Sequence, residues 1–168
     1  DLHHHGRLVF DDANAAVGSL EAASASLSRH GTTAFLPTTV AWPADELRER
    51  VDGLARALES RASARGWPGA LPLGIHLEGP WLSSRRCGAH EPSALRHPEL
   101  AEIDRVLDAG RGGIRMVTIA PELNGALPAI RRFVDAGVAV AVGHTDATYE
   151  EVRAGVSAGA TVATHLFN

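Results

Sequence analysis

Five near-continuously apolar runs, alternating with amphipathic helical patterns, constrain this chain more than any other feature. They are "TTAFLPT" (32–38), "LPLGIHLEG" (71–79), "IRMVTIA" (114–120), "VAVAVGH" (138–144) and "ATVATHLF" (160–167). A strand with one wet face alternates apolar and polar residues. A strand covered on both faces reads as a solid apolar run, as in a parallel sheet packed under helices. The segments between the runs carry helical stripes. Val17, Leu20, Ala23 and Leu27 make one face, and Leu47, Val51, Leu54 and Leu58 a second, with Pro43 suited to its first turn. Leu100, Ile103 and Leu107 follow Pro98 and stop at Gly110, and Leu127, Ile130 and Val134 precede Gly137. Thr148 and Glu151 have the spacing of a capping box, in a helix ending near Gly159.

Strand–helix alternation predicts parallel βαβ units. The opening "DLHHHG" is placed at the end of one more strand, the first of six. A (β/α)8 barrel takes about 250 residues, roughly 31 per unit. Six strands in 168 residues match that pace. The expected fold is α/β, an incomplete TIM-like (β/α)8 barrel with about six of eight units. It occupies residues 1–168 as a partial barrel domain truncated at both ends, since no initiator Met opens the chain and "ATVATHLFN" closes it. A doubly wound open sheet is the alternative, weakened by the lack of a Gly-rich phosphate loop after the first strand.

Composition removes several function classes. At 45% hydrophobic the chain is soluble and globular rather than disordered. Its net charge is −4 without a basic tract, which argues against nucleic acid or an anionic membrane. No apolar run is long enough to cross a bilayer. A single cysteine, Cys87, excludes an internal disulfide framework and fits the cytoplasm. All 16 basic residues are Arg.

Metal-capable side chains recur at the ends of the predicted strands. His3 and His5 end the first, Glu78 the third, His144 the fifth, and His165 lies near the end of the sixth. In a parallel barrel these ends converge on one rim, where barrel active sites lie. His3 and His5, two apart on a strand, point the same way; His4 points away. Neutral imidazole and carboxylate suit Zn²⁺ or Fe²⁺, and three ligands leave room for a water. Singly, Glu78 or His144 reads as an ordinary satisfied polar residue; four agreeing strand ends do not. The agreement also speaks against "HHH" as an affinity-tag remnant. His76, two before Glu78, reads either as a support for a ligand or as inward packing. With no Lys available for carboxylation, bridging between two ions would fall to Glu78.

The stretches "DLHHHG", "GIHLEGPWL", "GAHEP", "TIAPE", "VGHTDATYEE" and "ATHLFN" cover the chain in one order. In combination they resemble the N-acetylglucosamine-6-phosphate deacetylases of the amidohydrolase superfamily; "DxHxHG" alone marks only the superfamily. The resemblance implies metal-dependent hydrolysis of the acetamido group of N-acetylglucosamine 6-phosphate, giving glucosamine 6-phosphate and acetate. That chemistry belongs to amino-sugar catabolism and cell-wall recycling, in a cytoplasmic, homodimeric parent. It implies Glu78, His144 and His165 as principal metal ligands and His3 and His5 as an additional pair that some members carry. One or two divalent ions, Zn or Fe, are therefore expected. It further implies His90 at the acetamido carbonyl, Ala89 beside it as a substrate contact, and Asn168 at the phosphate end. The family's catalytic Asp falls beyond Asn168, so no catalytic residue is assigned within the segment. The rivals are an amidohydrolase acting on a cyclic amide or a nucleobase, a non-catalytic metal-binding homologue, and a purely structural barrel, which would not need His or Glu at four strand ends.

Other residues stay open or inert. Cys87 reads as a free loop thiol. Arg85 and Arg86 fit either a sugar phosphate or a solvated loop. Asp146 and Thr148 read as helix caps. Trp81 either walls the pocket or packs beneath its loop. Ser83 and Ser84 lack a nucleophile-elbow context.

Overall fold

The structure is a computed structural model and describes residues 1–5, 16–62 and 66–168. Its elements run α1 (Ala16–Ser28), β1 (Ala34–Phe35), β2 (Thr38–Thr39), α2 (Ala44–Ala62), β3 (Leu71–Pro72) and β4 (Ile75–Glu78). They continue with α3 (Leu100–Ala109), β5 (Ile114–Ile119), α4 (Ala126–Asp135), β6 (Ala139–Val142), α5 (Tyr149–Ala158) and β7 (Val162–Ala163). Among the described residues every strand pairing is parallel. The main sheet runs β2-β4-β5-β6-β7, and β1 pairs with β3 beside it. Each new strand thus adds to the same edge, with no reversal of order. A doubly wound sheet requires such a reversal, so that alternative is excluded. Around the strands each helix packs on the next, α1 on α2 through to α4 on α5. This is the incomplete TIM-like barrel expected.

Two predicted strands are each broken in two. Pro37 has no N–H to donate and separates β1 from β2, while Leu73 and Gly74 separate β3 from β4. Gly74 has φ +148, and a Cβ there would lie 2.6 Å from the Gly113 carbonyl oxygen. Only glycine permits that approach. Among the described residues, the predicted first strand is represented by one bridge, His4 to Pro37. Leu36 N–H donates to Asp1 O and Thr38 N–H to His4 O, both at 2.9 Å. Gly6 of "DLHHHG" lies outside the described residues.

Three stripe residues face solvent instead of the core: Val17, Leu100 and Val134. In α4 the buried stripe is Ala126, Ala129, Ile130 and Phe133, rotated by about one residue from the predicted one. Small alanines let the helix lie close to the sheet, a detail that a search for large apolar residues passes over. The capping box of α5 is present, with Glu151 N–H donating to Thr148 Oγ1 at 3.3 Å and Thr148 N–H to Glu151 Oε2 at 2.7 Å. Trp81 is fully buried, 5.4 Å from the Phe133 ring, and its indole N–H faces Glu102 Oε2 at 3.4 Å. It therefore packs beneath its loop.

Candidate functional site

Glu78 closes β4, and its side chain is 3% exposed. The barrel order brings five imidazoles onto it. Oε1 lies 2.9 Å from His144 Nε2 and 3.1 Å from His165 Nε2. Oε2 lies 2.9 Å from His5 Nε2, 3.2 Å from His3 Nε2 and 3.3 Å from His90 Nε2. Each oxygen thus has its own histidine pair, with His90 as a fifth ring. Burial pushes the Glu78 carboxyl up, but contacts with His144, His3, His5 and His90 outweigh it and hold the group far below the usual carboxylate range. The His144 imidazole is raised in turn, first by its hydrogen bond to Glu78. His144 and His165 sit past the ends of their strands, with φ of +49 and +54.

The far ring nitrogens distinguish the histidines. His144 Nδ1 is 2.8 Å from Arg86 O, and His5 Nδ1 is 3.1 Å from Thr38 O. A carbonyl oxygen only accepts, so both rings carry their proton on Nδ1. In the neutral ring Nε2 is then bare, yet it faces a carboxylate oxygen at 2.9 Å. Two acceptors at that distance require a proton or a cation between them. Nδ1–H donated to a backbone carbonyl is also how proteins orient metal-bound imidazoles. His90 is reversed. Ala41 N–H donates to its Nδ1 at 3.0 Å, so its proton is on Nε2. His90 is a donor toward Glu78, not a second lone pair. His4 turns away, its ring 5.9 Å from Phe35.

Beneath this rim runs a buried polar string. Thr38 Oγ1 donates to Leu36 O, so it accepts from His76 Nδ1 at 3.2 Å. Burial, then the nearby His3, lowers the His76 pKa to about 3, so the ring is neutral. His76 Nε2 therefore accepts from Thr118 Oγ1 at 2.8 Å, which accepts in turn from Thr164 Oγ1 at 2.8 Å. Gly143 makes this last contact possible: a Cβ there would lie 2.7 Å from Thr164 Cβ. His76 thus lies under the site, its ring 4.9 Å from His3.

The remaining candidates sit on the loops. Ala89 and Asn168 are exposed, and Asn168 N–H donates to His165 O at 3.0 Å. A cleft of about 930 Å³ is lined by His144, Thr145, His165 and Asn168, with Arg86 and Gly88 at its side. Arg85 and Arg86 pair with Asp146 at 3.3 and 2.7 Å. Asp146 therefore does not cap α5; Thr148 alone does. Cys87 is a half-buried free thiol. Glu122, within "TIAPE", had no role in the sequence reading. It accepts Thr145 Oγ1–H at 2.6 Å and Asp146 N–H at 2.7 Å. Its only signal was a carboxylate three residues past the end of a strand.

The family model described as "Amidohydrolase family" matches residues 1–168. The chain is 36% identical over its whole length to an N-acetylgalactosamine-6-phosphate deacetylase of Escherichia coli O157:H7, covering 43% of that protein. It is equally 36% identical to an N-acetylglucosamine-6-phosphate deacetylase of Vibrio furnissii, covering 41% of it. The structure of N-acetyl-D-glucosamine-6-phosphate deacetylase from Mycobacterium smegmatis superposes on all of this chain with a TM-score of 0.86 at 48% identity, covering 42% of that chain. An Asp-to-Ala variant of the same enzyme, in complex with N-acetyl-D-glucosamine-6-phosphate, gives a TM-score of 0.85 at 51% identity and again 42% coverage of that chain. The chain therefore spans less than half the length of these relatives.

Proposed function

The chain belongs to the amidohydrolase family, and from that premise we propose that the full-length protein hydrolyses the acetamido group of N-acetylglucosamine 6-phosphate to glucosamine 6-phosphate and acetate. One observation carries the reading: Glu78 presents each carboxylate oxygen to a separate histidine pair, and two of those rings have their Nδ1–H held by carbonyls. Glu78, His144 and His165 would hold one divalent ion, zinc or iron. His3 and His5, with Glu78, would hold a second. When bound, a divalent cation supplies Lewis acidity, which activates water near neutral pH and polarises an acyl oxygen.

The chain's own residues then divide the work. Arg86 O and Thr38 O hold the Nδ1–H of His144 and His5, which leaves Nε2 as the ring nitrogen that can ligate. His90, with Nε2–H fixed by the Ala41 N–H, donates to the acyl oxygen as negative charge develops there. Ala89 contacts the substrate beside it, and Asn168 takes the phosphate end. An Asp downstream of Asn168 removes the proton of the attacking water and delivers it to the leaving amine. The full-length protein acts as a cytoplasmic homodimer in this reading. Among the described residues no helix is long and apolar enough to cross a membrane.

A second substrate has specific support: a relative matching the whole chain is a deacetylase of the galactosamine epimer. Purified full-length protein assayed on both 6-phosphates tests the reading. The expected result is chelator-sensitive acetate release with a higher kcat/KM on the glucosamine compound. A higher value on the galactosamine compound reassigns the substrate. Failure to release acetate from either, with metal bound, refutes the deacetylase reading.

A further inference from the structure

Three loops meet around His144. The turn after β6 carries it, the loop after β4 supplies Ser83 and Arg86, and the loop after β5 supplies Glu122. At φ +49, His144 adopts a backbone conformation that a non-glycine residue keeps only when its surroundings hold it. Those contacts form a closed circuit. Ser83 N–H donates to His144 O at 2.9 Å, and His144 Nδ1–H donates to Arg86 O at 2.8 Å. The Arg86 guanidinium reaches Asp146 at 2.7 Å. The next two bonds end on Glu122: Asp146 N–H to Oε1 at 2.7 Å and Thr145 Oγ1–H to Oε2 at 2.6 Å. Thr145 Oγ1 accepts in turn from Ala147 N–H at 3.0 Å. Gly88 closes the remaining side, since a Cβ there would lie 2.9 Å from His144 Cε1.

We propose that Glu122 is a positioning residue, whose two carboxylate oxygens hold the turn at Thr145 and Asp146 and so aim His144 Nε2 at the metal position beside Glu78. It acts only through the turn. This rests on the metal-centre reading above. Two donors converge on two oxygens, so an anionic carboxylate satisfies both. An amide can keep the Asp146 N–H on its oxygen, but it meets Thr145 only by reversing that bond: its NH₂ must donate to an Oγ1 that already accepts from Ala147 N–H, the hydroxyl hydrogen must swing away, and the charge is lost. The role is therefore specific to the carboxylate, not to side-chain volume.

The test is zinc affinity of the full-length protein by chelator competition, with thermal melts of the metal-free protein alongside. Glu122→Gln should weaken zinc about 10–100-fold, the usual effect of losing a group that orients a ligand, while the metal-free protein keeps a cooperative melt. Thr145→Val, which loses the hydroxyl, should weaken zinc similarly. Thr145→Ser, which keeps it, should bind as the wild type does. Unchanged affinity in Glu122→Gln overturns the proposal. So does a Thr145→Ser variant as weak as Thr145→Val, or loss of cooperative melting in metal-free Glu122→Gln, since either assigns the residue to the fold. A wild-type protein that binds no zinc overturns the metal-centre reading itself and this inference with it. A zinc-binding wild type with an indifferent Glu122→Gln overturns this inference alone.

Discussion

His90→Asn separates catalysis from metal binding. Asn suits the geometry: its Oδ1 can replace Nδ1 as the acceptor for Ala41 N–H, now made at 3.0 Å, while nothing replaces Nε2–H. The buried Ala41 amide then keeps a partner, which avoids the roughly 1–3 kcal/mol cost of an orphaned donor. What is lost is one hydrogen bond to the acyl oxygen, formed as charge builds. Removing such a donor typically lowers kcat by about 10²–10³, or roughly 2.7–4 kcal/mol of transition-state stabilisation. In the full-length protein, kcat on N-acetylglucosamine 6-phosphate should fall by that factor with metal per chain unchanged. Metal content by elemental analysis and kcat at saturation, measured on one preparation, decide it. His90 also groups with Glu78 and His144 at metal-ligand spacing. Lost metal would mean that its Nε2 is a ligand and that the tautomer argument from Ala41 is wrong. An unchanged kcat would make His90 a bystander.

Other substitutions probe the same architecture. Glu78→Gln should empty the site, because a neutral amide is a poorer ligand than a carboxylate; retained metal by elemental analysis would contradict this. His3→Asn with His5→Asn should remove at most one of two ions, and complete loss would reverse the ranking of ligand pairs. Gly143→Ala places a methyl 2.7 Å from Thr164 Cβ and 2.9 Å from Thr118 Cγ2, parting their hydroxyls. It should cost about 1–3 kcal/mol in urea unfolding, and an unchanged midpoint would show that the strands yield freely. Accepting first the Thr148 N–H and then its hydroxyl holds the Glu151 carboxyl below the ordinary glutamate value. A carboxylate with a depressed folded pKa stabilises above its unfolded value and loses that contribution as pH falls through the folded one. Amide protection at the start of α5, taken relative to the intrinsic exchange rate at each pH, should therefore fall as pH drops through the range where Glu151 protonates, and Glu151→Gln should flatten the dependence.

The barrel was legible because burial on both faces of a parallel strand leaves a compositional trace, and because Thr148 and Glu151 interact locally. The rim was legible for a related reason: in consecutive parallel strands, chain order is spatial order, so polar residues ending apolar runs must meet. The strand breaks were harder. Pro37 was visible inside "TTAFLPT", but whether one missing N–H splits a ladder depends on the partner strand, and there Gly74 breaks at the same level. The α4 stripe was misplaced because alanines make its close face. Glu122 was hidden because its partners lie 23 and 24 residues away. The ring-nitrogen assignments were wholly illegible, since each depends on one backbone group contributed by a different loop.

Those assignments account for what lies below the rim as well as on it. A charged group under Glu78 would compete for its carboxylate with any cation above. His76 is the nearest candidate, fully buried and two residues from Glu78 on the same strand face. Burial and the neighbouring His3 keep it neutral, and its neutral form is the one the string requires: a donor to Thr38 and an acceptor from Thr118. The string ends at a carbonyl, Leu36 O, so every hydrogen in it has a fixed direction and none is left over for Glu78. The inner layer is thus polar enough to tie β2, β4, β5 and the residue after β7 together, yet carries no charge. The carboxylate's field is directed upward, at the two histidine pairs.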